Sequence, residues 1–113
     1  MLQVSTSVCE YLGQKWITHI EIIEDNEFFY EVKITGRDQS FHATIGAYTH
    51  GLFLCIPSWK FGCELSSIYD LFYNRHIRDA FDPYIVKTLS SAIRLLPPIQ
   101  KKTRKLYFDE EAY

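Results

Sequence analysis

The chain has 113 residues, 47% hydrophobic and 16% aromatic, which is enough for one domain with a real core and too little for two. Its formal net charge of −2 lacks the basic excess that a general nucleic-acid binder carries. Three cysteines, Cys9, Cys55 and Cys63, form an odd count without a Cys-x-x-Cys pair, which fits free thiols in a reducing compartment better than a disulfide framework.

Met1 to Ser7 lacks the charged and apolar regions of a secretory signal, and no window approaches the roughly 18 apolar residues of a membrane span. No membrane association and a cytoplasmic location are therefore expected. From Gln14 to Glu24, β-branched and aromatic residues alternate so that Trp16, Thr18, Ile20 and Ile22 share one face of a strand. Asp25-Asn26 offers turn residues, and Glu27 to Thr35 alternates again, setting Phe28, Tyr30, Val32 and Ile34 against Phe29, Glu31, Lys33 and Thr35. After Gly36-Arg37-Asp38, a third strand from Ser40 to Tyr48 turns Phe41, Ala43 and Ile45 one way and His42 and Thr44 the other. Thr49-His50-Gly51 makes the next turn. Leu52 to Ile56 is apolar throughout, which predicts a strand buried on both faces or central in the sheet. Pro57 ends that run, and Gly62 supplies a residue free to take positive φ, so Trp59 and Phe61 are expected on a shaped loop.

The period then becomes helical. Ser67 and Asp70 resemble a capping box, and Leu65, Ile68, Tyr69 and Phe72 recur at helical spacing, with Arg75, His76 and Arg78 near the C-terminal end of a helix of about three turns. Asp82-Pro83 starts a second helix as N-cap and N1. Its stripe of Ile85, Val86, Leu89, Ala92, Ile93 and Leu96 runs until Pro97-Pro98. The expected architecture is α+β, a four-stranded antiparallel meander followed by two helices packed on one face, ββββαα. A single domain over residues 1–98 is followed by a charged tail over residues 99–113.

No arrangement of residues names a chemistry. His19, His42, His50 and His76 lack metal-ligand spacing, so no metal or other cofactor is expected. Cys55 lies inside an apolar strand and Cys63 has no base in a recognisable spacing, so both are expected to be structural thiols and the protein not an enzyme. Two sets of residues suit binding. Trp59 and Phe61 are aromatic anchors of the kind that dominate binding hot spots, with packing onto the core as the competing role. Glu24, Asp25 and Glu27 place negative charge on the first hairpin, suited to a basic groove on another protein or to guarding a wet sheet edge. The alternative partner is nucleic acid, contacted through the sheet face and through Lys101, Lys102, Arg104 and Lys105 with Tyr107 or Phe108 stacking. Asp109, Glu110 and Glu111 directly offset that run.

Phe41-His42 with Gly46 and Tyr48, followed by Gly51, Phe53, Cys55-Ile56-Pro57, Trp59 and Gly62-Cys63-Glu64-Leu65, resembles a family of small proteins of Gram-positive bacteria, their phages and mobile elements. The likeness covers about a third of the chain, from Phe41 to Asn74, and consists of core, turn and cap residues. It implies no activity. By analogy of setting, it implies the accessory class that includes anti-CRISPR and other anti-defence inhibitors, acting in the cytoplasm of a bacterial host on a protein partner such as a type II, Cas9-type effector.

Overall fold

In the segment Phe29–Gly36, Tyr30, Val32 and Ile34 are buried while Lys33 is exposed, and the same alternation recurs through the sheet built around it. The computed structural model describes residues 3–48, 51–66, 71 and 73–99. Six strands, β1 (Gln3–Tyr11), β2 (Gln14–Asp25), β3 (Phe29–Gly36), β4 (Gln39–Tyr48), β5 (Gly51–Ile56) and β6 (Phe61–Leu65), form one sheet. Every neighbouring pair is antiparallel, and spatial order follows chain order. Two short helices follow, α1 (Arg75–Ala80) and α2 (Pro83–Ile93).

The four-stranded meander expected from the sequence is thus corrected to six strands within the same α+β class. The four expected strands occur as β2 to β5, and the two additions are the edges. Each edge strand fully encloses a single hydrophobic side chain, Cys9 in β1 and Leu65 in β6. Phe61 and Cys63 also lie on the core side of β6, alternating with Gly62 and Glu64, but five residues are too short a run for that period to identify a strand. β5 is also not doubly buried. Leu52, Leu54 and Ile56 are enclosed, whereas Phe53 and Cys55 on the other face are only half-buried.

One face of the sheet packs into the core. Ile20, Val32, Ile34, Ala43, Ile45, Leu54 and Ile56 meet Leu71, Ile77, Leu89, Ala92, Ile93 and Ile99 in one cluster. At roughly 25 cal/mol per Å², each large aliphatic enclosed there contributes about 2 kcal/mol. The α2 stripe matches its expectation, with Asp82 as N-cap accepting from the Ile85 amide at 2.9 Å and Pro83 at the first helical position. α2 lies over β1, β2 and β3. A polar knot fixes it there. Trp16 Nε1 donates to Thr88 Oγ1 at 2.9 Å, that hydroxyl donates to the Tyr84 carbonyl, and Cys9 Sγ and Thr18 Oγ1 share a bond of 3.0 Å. Gly36 permits the close approach, since a Cβ there would stand 2.9 Å from the Thr88 methyl.

α1 is shorter than the expected three turns. Leu65 belongs to β6, and the helix starts at Asn74, whose side chain accepts from the Ile77 amide at 3.1 Å. The Ser67/Asp70 box and the Thr49-His50 turn lie outside the described residues, as do the tail residues Lys101, Lys102, Arg104 and Lys105. Among the described residues no helix is long and apolar enough to cross a membrane.

Candidate functional site: an aromatic hollow above the β5–β6 hairpin

Pro57 cannot continue the β5 ladder because it has no amide hydrogen, and its fixed φ starts a single 3-10 turn, Pro57–Trp59. Lys60 then takes the left-handed conformation, φ 52° and ψ 40°, and donates its amide to the Pro57 carbonyl at 2.9 Å. The positive φ expected at Gly62 therefore falls on Lys60, at a cost of about 1 kcal/mol for a residue with a Cβ. The chain reverses there into β6, in register Ile56 to Phe61 and Leu54 to Cys63. The loop expected to lead into a helix is the turn of a hairpin.

That turn throws Trp59 back over the core face. Its ring centroid lies 4.6 Å from that of Phe41 and 5.1 Å from that of Phe81, and Phe61 meets Phe81 edge-on at 4.9 Å with the rings inclined at 63°. These are the offset and edge contacts that aromatic quadrupoles favour. Trp59 still leaves 37% of its surface in water. Trp59, Phe61, Ala80 and Phe81 line an open hollow of about 260 Å³. On the far side of Phe81 a second hollow of about 150 Å³ is lined by Tyr11, Arg78, Pro83 and Val86. Phe81 caps α1 in extended conformation, so the corner between the helices makes the wall that separates the two hollows.

Trp59 is thus neither a sealed core residue nor a free loop aromatic, while Phe61 is half-buried against the core. Phe81 and Ala80 complete the site and were not singled out from the sequence. The available signal was an aromatic directly ahead of the Asp82-Pro83 helix start, at a corner whose partners only the fold reveals.

The acidic residues lie elsewhere. Asn26 organises their turn, its Oδ1 accepting from the amides of Phe28 and Phe29 and its Nδ2 donating to Glu24 Oε2 at 2.9 Å. An irregularity between Ile22 and Glu24 sets Glu24 opposite Glu31, like charges that oppose each other across the ladder. Glu24, Asp25 and Glu27 therefore form one acidic end of the β2–β3 hairpin. Trp59 is at the opposite end of the sheet. Tyr30 faces Asp25 and Ile34 faces Phe41, so the two sets are separated by four residues of β3, roughly 13 Å.

Burial pushes the Cys63 thiol up to about 11, with Cys55 and Glu64 adding to the effect, and burial also raises Cys55. Both thiols stay protonated at neutral pH, which makes them poor nucleophiles. His19 and His42 are exposed on the open face with β3 between their strands. Among the described residues no group of three or more His, Cys, Asp or Glu is placed to hold a metal ion.

One further cationic contact lies on the helix-covered side. Arg37 and Asp38 form the two-residue β3–β4 turn with φ of 46° and 66°, and the Arg37 guanidinium sits 3.9 Å from the Tyr84 ring centroid and 5.5 Å from that of Trp16. The adjoining cavity is about 50 Å³, too small for an organic ligand.

No curated protein matches the chain, and no solved structure does. A family profile spans residues 5–100, from β1 through the end of the described core, so the chain belongs to the family of unknown function DUF6618.

Proposed function

We propose that the protein acts by binding a partner protein, as a non-enzymatic inhibitor carried by a phage or mobile element and directed at a bacterial defence nuclease of the Cas9 type. The observation that carries the binding role is Trp59, braced by Phe41 and Phe81 yet more than a third exposed at the rim of a 260 Å³ hollow. A ring already held in place loses little freedom when a partner packs on it, which is how rigid aromatic anchors gain affinity. An apolar side chain of the partner fills the hollow between Trp59, Phe61 and Phe81. The acidic turn at Glu24, Asp25 and Glu27 steers the approach of a basic, nucleic-acid-binding surface rather than sharing the anchor's contact.

Co-elution and cleavage assays against a panel of Cas9-type effectors test the reading. The control is Ala80→Arg: Ala80 is exposed and lines the hollow, so the arginine fills it while leaving the core alone. A stable complex and inhibition by the wild type, both lost in Ala80→Arg at unchanged melting temperature, are expected. Absence of any complex or inhibition ends the defence-nuclease proposal, and equal binding by Ala80→Arg removes the hollow from it. A salt-dependent nucleic-acid mobility shift that disappears when residues 101–113 are deleted would replace protein binding with nucleic-acid binding.

A further inference from the structure

β1 is an edge strand, paired among the described residues with β2 alone, in unbroken register from Gln3 opposite Ile22 to Tyr11 opposite Gln14. An exposed edge of nine residues is a template for pairing with another chain, and natural sheets guard such edges with charge, proline, bulges or brevity. None of these devices occurs between Gln3 and Cys9.

The sequence of this edge has a symmetry of its own. Val4-Ser5-Thr6-Ser7-Val8 reads the same in both directions. Antiparallel pairing of two identical strands about a two-fold axis through Thr6 places Val4 opposite Val8, Ser5 opposite Ser7 and Thr6 opposite itself. Each residue meets its own kind, and valine and hydroxyl pairs of this sort favour a ladder. No charge lies within the palindrome to oppose its symmetry mate, and Glu10 falls outside it.

The side chains agree with the backbone. Val4, Thr6 and Val8 point to the face away from the helices, where Val4 is 59% and Val8 68% exposed, and Ile17, the β2 partner of Val8, is 56% exposed. A two-fold axis at Thr6 sets Val4 of each copy beside Val8 of the other and brings the Val4, Val8 and Ile17 of both copies into one apolar row across the seam, where they cover one another's flanks. The helices do not obstruct this. α2 meets β1 near its C-terminal end, through Cys9 Sγ to the Lys87 carbonyl and Tyr11 against Tyr84, so in the pair the two helices lie at diagonally opposite ends.

We infer that two copies of this chain associate through their β1 strands, centred on Thr6, into a dimer with one continuous twelve-stranded sheet. The interface is independent of the aromatic hollow and leaves it open in both copies.

Sedimentation velocity on the full chain, from micromolar to near-millimolar concentration, is expected to show a species of twice the 13.3 kDa protomer mass. Val8→Lys, at an exposed site, is expected to be folded by circular dichroism and monomeric throughout, because it sets unpaired charge against Val4 of the other copy. The register is tested by Thr6→Cys with Cys55 and Cys63 changed to alanine. Cross-strand Cα spacing of about 4.5–5.5 Å falls within disulfide reach, so oxidation should link this variant as a dimer, whereas Val4→Cys should not link to itself. A wild type that is monomeric at every concentration, or a dimer indifferent to Val8→Lys, overturns the inference. Equal cross-linking by Val4→Cys overturns the register.

Discussion

β1 and β6 each leave one row of backbone N–H and C=O groups without a neighbour among the described strands, yet they guard it differently. β6 has five residues, carries Glu64 on its outer face and has its start folded under Trp59 and Phe81. β1 has nine residues, a neutral hydroxyl-rich stretch and two exposed valines. Brevity and charge make β6 a poor template for a further strand, while β1 is longer and carries no charge from Gln3 to Cys9. The difference teaches that the two ends of one sheet serve separate purposes: β6 closes the fold and supports the aromatic hollow, and β1 is left open for association.

The sharpest way to break this contrast is at the seat of β6. A Cβ on Gly51 would collide with the Leu65 carbonyl oxygen, a backbone group that cannot rotate aside. Gly51→Ala is expected to cost about 3 kcal/mol or more, read as a loss of urea midpoint and as hydrogen-exchange protection lost first in β6. Unchanged protection of β6 would show that the strand does not depend on this close approach. Next in size is Phe81→Ala, which removes the ring touching both Trp59 and Phe61. Its half-buried side chain should cost about 2 kcal/mol and redshift Trp59 fluorescence as that ring enters water. An emission spectrum identical to the wild type would show that Trp59 is held by Phe41 alone.

Asp82→Ala tests the β1 side, because Asp82 caps the helix that lies over β1. The loss of its bond to the Ile85 amide should cost about 1 kcal/mol, with exchange protection reduced in the first turn of α2 and unaltered in β6. Equal loss at both edges would mean that the helix supports the whole sheet and not the β1 half.

The same contrast explains what could be read from the sequence. The four inner strands alternate because one face of each is pressed into the core, as with Tyr30, Val32 and Ile34 against Lys33. In β1 the pattern is inverted. Val4 and Val8 face water, and the core side offers Ser5, Ser7 and Cys9, so the strand exists through its ladder with β2 rather than through burial. In β6, Leu65 fits a strand and a helical spacing equally well, and five residues give the period of two no room to decide. The Asp82-Pro83 start was legible because capping is a local hydrogen bond. The hollow was legible only in part: Trp59 and Phe61 were marked by Pro57, whereas Phe81 and Ala80 arrive from a corner about 20 residues further on.

The smallest effect is one that vanishes at neutral pH, and it belongs to the cysteine of β6. Cys63 in β6 is half-buried, and burial pushes its thiol from the ordinary 9.0 up to about 11. Below pH 9 the thiol is protonated in folded and unfolded chains alike, and it adds no pH dependence. Between 9 and 11 the unfolded chain releases a proton that the folded chain keeps, so alkali favours unfolding over that window and the slope disappears above it. The half-exposed position of Cys63 keeps the effect modest. Urea midpoints measured from pH 8 to 11 should therefore fall more steeply in the wild type than in Cys63→Ala. Parallel curves would show that the thiol is no less hydrated in the fold than in the free chain, and that β6 is a looser edge than its contacts with Leu54 and the aromatic roof require.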